Sequence, residues 1–179
     1  MTCVVAIVGK EGKITMAADS SAVDDTIHTP HIDPKVFLKG EFGIGYCHSF
    51  RMGQILEFWF MPPEIPEGEE NLMRYMVMDF IPELKSLLAD NDYPNHEDEK
   101  TEWSLIVAVR GNIFTIESDW HVGHDDLSFA AIGAGSPYAI GVMDSIVGED
   151  TAEIARVALK TAEKYCPYVL GPFHFIEVL

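Results

Sequence analysis

The chain has 179 residues, with 29 acidic and 12 basic side chains and a formal net charge of −17 with histidine neutral. Hydrophobic residues make up 47 %, enough to build a core, which excludes a disordered acidic tail. The charge argues against nucleic acid and against anionic membranes as partners, because both need clustered Lys and Arg. No apolar stretch approaches the roughly 20 residues of a membrane span. Met1-Thr2-Cys3-Val4-Val5 has no basic n-region, and Cys3, Cys47 and Cys166 fall in no disulfide or zinc spacing. A cytoplasmic protein with buried free thiols, folded as one domain over 1–179, is therefore expected.

Residues 2–9 are β-branched and apolar and 13–18 form a second short strand pattern around the Lys10-Glu11-Gly12 turn, which predicts a hairpin. Residues 20–34 are polar, contain Pro30 and Pro34, and read as a surface loop. Strands follow at 36–38 and 42–46. A helix over 49–60, with Ser49 as N-cap, stops at Pro62-Pro63. Residues 71–90 carry apolar side chains on nearly every face, which predicts a helix buried between layers, with Met73, Met76 and Met78 as core packing. The charged stretch 91–102 reads as a solvated loop. Strands are predicted at 103–109, 112–118 and 129–132, with a polar loop over 119–127.

Ser136 is the expected N-cap of a helix with Pro137 in its first turn. A helix over 150–165 starts at Asp150 with Glu153 completing a capping box, and Ile154, Val157, Ala158, Ala162 and Tyr165 form its apolar stripe. The last strand is 173–178. Strands and helices come in separate blocks, which is α+β: two mostly antiparallel sheets with helices packed outside. His28-x-x-His31 and His121-x-x-His124 lie in loops without a four-ligand pattern, so neither a metal nor another cofactor is expected.

Thr2 is the first residue that could carry chemistry. Removal of Met1 would place a hydroxyl nucleophile and a free α-amine on one residue. Such an amine has a pKa of about 7.7–8.0 and can accept the hydroxyl proton near neutral pH. Cys3, next in the strand, points to the opposite sheet face.

The order Thr2-Cys3-Val4-Val5, then Ala17-Ala18-Asp19-Ser20, Pro34-Lys35-Val36-Phe37, Phe42–Ser49 and Ala131-Ile132-Gly133-Ala134-Gly135-Ser136 resembles the β-subunits of the proteasome and the HslV peptidase. These are N-terminal-nucleophile (Ntn) hydrolases. Ser49–Gln54 is also similar to a phage and bacterial branch of proteasome-like proteins. The resemblance covers essentially the whole chain and implies a four-layer αββα sandwich.

It further implies Thr2 as nucleophile, Lys35 beside its hydroxyl, Asp19 holding Lys35, and the Ser49 backbone N–H as oxyanion hole. Ala22 and Cys47 fall where the family lines its substrate pocket, with His48 next to them at a position that is small in the family. The implied substrate is an extended peptide or unfolded protein. The implied partners are further copies in a ring and a separate ATP-driven unfoldase, since the chain has no Walker motif. Two positions depart from the pattern. Ala134 replaces a serine that usually contacts the nucleophile's amine, and Tyr165–Tyr168 lacks the family's loop Asp. They motivate a second reading: a catalytically weak or inactive subunit kept as a self-assembling or protein-binding scaffold.

Overall fold

The computed structural model describes residues 2–24, 27–93, 102–146 and 150–179. Strands β1 (Val4–Val8) and β2 (Ile14–Ala18) form the expected hairpin around the turn Lys10–Gly12. Later strands join its two edges. β10 (Phe129–Ile132) pairs with β1, and β11 (His174–Val178) pairs with β2, giving the order β10-β1-β2-β11. A second sheet has the order β5-β6-β7-β8-β9, built from Val36–Lys39, Phe42–Cys47, Ser104–Val109, Asn112–Glu117 and Val122–Gly123. Neighbouring strands in both sheets are antiparallel.

The period-2 alternation of side chains assigns the layers. Cys3, Val5, Ile7 and Ala17 pack against α4 (Ser136–Ser145) and α5 (Thr151–Tyr165). Val4, Ala6, Met16 and Ala18 face the second sheet, meeting Val36, Ile106 and Ala108. On that sheet's far face, Phe42, Ile44, Tyr46 and Val107 pack with Met52, Leu56, Phe80 and Leu84 of the other helices. Those helices are α1 (Phe50–Phe58), α2 (Leu72–Tyr75) and α3 (Ile81–Asp90), with Phe80 in the turn Met76–Phe80 that joins α2 to α3. The result is the four-layer αββα sandwich. Gly45 lets the sheets approach: a Cβ there would lie 2.6 Å from Val4 Cγ1. Each large side chain buried between layers contributes roughly 1.5–3 kcal/mol.

Several expectations need correction. The predicted loop 20–34 contains a hairpin, β3 (Ser21–Asp24) with β4 (Ile27–Pro30), in register Ser21↔Pro30. Pro30 does not forbid it, because it stands at the strand end, where a missing N–H costs little. Within the predicted loop 119–127, Val122–Gly123 pairs with β8. The 71–90 helix is interrupted by a π-helical turn, Met76–Phe80, ending two residues before Pro82, which has no N–H to donate. Nor is this helix buried all round. Met76 is core, but Met73, Val77 and Met78 are exposed, because it forms an outer layer with only one covered face. Ser136 is the first residue of α4 and Gly135 its N-cap. On α5 the stripe is Ile154, Ala155, Ala158, Leu159 and Ala162, with Tyr165 exposed. The Asp150 cap forms as expected, accepting the Glu153 N–H at 3.0 Å. Most of the predicted loop 91–102 lies outside the described residues.

Candidate active site

Three chain segments converge at one end of the sandwich. Thr2 immediately precedes β1, and its side chain points between the sheets on the side of Val4 and Ala6. Asp19 follows the last residue of β2, and Lys35 precedes the first residue of β5. All three are buried. Lys35 Nζ donates to Thr2 Oγ1 at 2.9 Å, to the Ser21 carbonyl at 2.7 Å, and to Asp19 Oδ1 and Oδ2 at 3.3 and 3.2 Å. The Phe50 ring centre lies 5.6 Å from the same nitrogen and covers it. Burial lowers the Lys35 pKa from its ordinary value, and the Asp19 carboxylate opposes that shift.

Asp19 is itself held by backbone. Its Oδ1 accepts the Cys3 N–H at 2.8 Å, and its Oδ2 accepts the Ser21 N–H at 2.9 Å and the Ser21 hydroxyl. A buried ion pair survives desolvation only with such additional hydrogen bonds. Thr2 is anchored through its carbonyl, which accepts the Gly135 N–H at 3.1 Å. Gly133, at φ +89°, runs so close that a Cβ there would lie 2.3 Å from Thr2 O. Only glycine tolerates both the conformation and the approach.

Ser49 caps α1, its hydroxyl accepting the Met52 N–H at 3.1 Å. Its neighbour Phe50, the first residue of α1, reaches Lys35 with its ring. His48 precedes it at φ +77°, a backbone conformation rarely adopted by residues other than glycine. Its side chain is exposed, and its Nδ1 lies 3.0 Å from Cys47 Sγ. Partial desolvation of the ring lowers the His48 pKa and favours the neutral form. Cys47 differs from its expected place in a pocket wall. It is fully buried between the sheets and has no surface to offer a ligand. Ala22 is half-buried. Cys3 lies in the helix-side core, and burial pushes its thiol pKa up, the opposite of a reactive thiolate.

Sequence reasoning missed Ser21, which contacts the Asp19–Lys35 pair through its N–H, hydroxyl and carbonyl, and Phe50, which covers Lys35. The signal for Ser21 was present. Asp19-Ser20-Ser21 matches a turn in which a carboxylate accepts the N–H two residues on. Ala134 packs against the helix-side core and offers no hydrogen-bonding side chain. Of the histidine pairs, His31 stacks on Phe50 with centroids 5.0 Å apart, and His124 lies 4.6 Å from Phe114. The His28 side chain lies outside the described residues. Among the described residues no cluster of His, Cys, Asp or Glu is arranged to hold a metal ion, and no helix is long and apolar enough to cross a membrane.

No protein-family model matches the sequence. An ATP-dependent protease subunit HslV from Pseudothermotoga lettingae is 32 % identical over 82 residues, covering 44 % of this chain and 47 % of the relative. The chain thus spans about half the length of that relative. HslV of Syntrophobacter fumaroxidans is 26 % identical over 179 residues, covering 94 % of this chain and 92 % of the relative. Among solved structures, Thiobacillus denitrificans BPH in complex with epoxomicin superposes with a TM-score of 0.76 at 21 % identity, covering 97 % of each chain; this likeness carries the fold. The layer order, the strand pairing and the HslV similarity all point the same way: the chain shares the fold of BPH and resembles the HslV protease subunits in sequence.

Proposed function

We propose that the chain is a threonine peptidase that hydrolyses amide bonds of extended peptides, with Thr2 as nucleophile once Met1 is removed. The observation that carries this reading is the buried Lys35 Nζ, 2.9 Å from Thr2 Oγ1 and paired with both oxygens of Asp19. A buried ammionium beside the hydroxyl favours its deprotonation and lowers the proton affinity of the adjacent α-amine. The amine takes the hydroxyl proton, directly or through a water, as Thr2 Oγ1 attacks the substrate carbonyl. The Ser49 N–H, at the start of α1, stabilises the tetrahedral oxyanion. Collapse passes the proton to the leaving amine and leaves an ester on Thr2, which water then hydrolyses. Ala22 and His48 flank the substrate.

The relatives named ATP-dependent protease subunit support the same activity. They also support assembly of this chain into a homo-oligomeric ring served by a separate ATP-driven unfoldase. The test is peptide hydrolysis combined with intact mass and a threonine-directed covalent inhibitor. Loss of Met1 and labelling of Thr2 are expected, and neither in Thr2→Ala. A purified chain that retains Met1 and takes no label overturns the reading.

Ala134 favours a second reading, in which the fold serves as a self-assembling or protein-binding scaffold of weak or no activity. No side-chain donor or acceptor stands at that position to hold the amine. Restoration of hydrolysis by Ala134→Ser, in a chain that assembles but is inactive, would select it.

A further inference from the structure

The contacts of Ser21 with Asp19 lie beyond the nucleophile, its lysine and that lysine's carboxylate. Ser21 is fully buried. Its N–H donates to Asp19 Oδ2 at 2.9 Å, its carbonyl accepts from Lys35 Nζ at 2.7 Å, and its hydroxyl bonds Asp19 Oδ2. The same hydroxyl lies 2.6 Å from the Tyr168 carbonyl, on the segment that links α5 to β11. A carbonyl cannot donate, so the single hydroxyl hydrogen of Ser21 lies between two acceptors, the carboxylate and the Tyr168 oxygen. The neighbouring Ser20 is tied to that segment as well. Its N–H donates to the Leu170 carbonyl at 3.0 Å and its hydroxyl to the Pro172 carbonyl at 2.5 Å. Yet neither Ser20 contact involves Asp19. The two serines anchor the same segment, and the Ser21 hydroxyl alone of these anchoring contacts also reaches the carboxylate.

We propose that Ser21 is a positioning residue: its hydroxyl fixes the Asp19 carboxylate against the Tyr168 carbonyl and thereby sets where Lys35 Nζ stands relative to Thr2 Oγ1. This rests on the peptidase reading above and names a further determinant of the same site. The segment that lacks the family's loop Asp thus acts on the site through a backbone oxygen and a serine. A hydrogen bond to a charged group in a buried site is strong and directional. Its loss moves the ammonium without removing any group that touches substrate, so the effect falls on the chemical step and not on binding.

The experiment compares Ser21→Ala, Ser21→Cys and Ser20→Ala with the parent chain after Met1 removal, reading kcat, KM, the rate of Thr2 labelling and Tm. Ser21→Ala is expected to lower kcat and the labelling rate about tenfold, with KM within about twofold. Ser21→Cys, nearly isosteric with a weak donor, falls between. Ser20→Ala lowers Tm comparably but keeps kcat within about twofold, since it loosens the segment without touching Asp19. The proposal is overturned if both Ser21 variants keep parental kcat, or if Ser20→Ala loses as much kcat as they do. An active parent with unaffected Ser21 variants overturns this proposal alone, whereas a parent that neither hydrolyses peptide nor labels at Thr2 overturns the peptidase reading and this one with it.

Discussion

Lys35 Nζ stands 2.9 Å from Thr2 Oγ1 while holding both carboxylate oxygens of Asp19 at 3.2 and 3.3 Å. The three residues are far apart in the chain, and all are buried. One ammonium therefore links a neutral hydroxyl to a buried negative charge. Stability and reactivity are both sensitive to that arrangement.

The pair is expected to be strongly coupled. Asp19→Ala leaves a buried ammonium without its counter-charge, and Lys35→Met leaves a buried carboxylate with only neutral donors. Each single variant is expected to cost about 3–5 kcal/mol in urea unfolding. The double variant should cost clearly less than the sum, because neither charge is then stranded. Additive costs would sink this account.

The alkaline limb of activity carries the second expectation. If the Lys35 ammonium is required, activity falls as pH rises through the Lys35 pKa, which burial places below the ordinary 10.5. The Asp19 charge raises that pKa against the effect of burial, so Asp19→Asn should move the limb to lower pH. A pH profile of kcat in parent and variant measures it, and a limb that stays put or moves upward contradicts the role given to Lys35.

Gly133→Ala tests how the nucleophile is seated. The position needs φ +89°, and a Cβ would lie 2.3 Å from Thr2 O, a backbone atom that cannot swing aside. Conformational strain alone costs about 1–2 kcal/mol, and the clash must displace Thr2. A lower Tm and slower Thr2 labelling are expected. Labelling at the parental rate would show that the seat is not needed.

Glu163 anchors the segment beyond α5. Its Oε2 accepts from Lys160 Nζ at 2.8 Å and its Oε1 from the Gly171 N–H at 2.8 Å. These two hydrogen bonds, Lys160 first, lower its pKa below the ordinary 4.5. A depressed carboxylate pKa means stability that is present above pH 4.5 and lost as pH falls through the folded-state value. Glu163→Gln should therefore lower stability by about 1 kcal/mol near pH 7, with the difference vanishing in acid. Urea unfolding at several pH values checks this, and a difference that grows in acid would contradict it.

Much of the architecture was legible because its local signals agreed. The β-branched, apolar runs Val4–Val8 and Ile14–Ala18, the turn between them and the Asp150 cap each reported the element that formed. The β3–β4 hairpin was not legible, since its polar, proline-containing residues looked like a loop and only backbone pairing made them strands. The exposed Met73 and Met78 were misread because composition cannot say which face of a helix a sheet will cover.

The sequence by itself determined the fold class, most of the long strands and helices in their order, and Thr2 as a residue able to supply a hydroxyl and an amine together. These rest on short-range patterns, where each residue's neighbours in the chain are also its neighbours in space. Tertiary structure decided the rest: that Asp19 and Lys35 meet Thr2 in one buried cluster, that Cys47 is sealed between the sheets, and that Ser21 ties the cluster to Tyr168. Those relationships join residues 16 to 147 positions apart, and such separations become contacts only when two sheets close on each other.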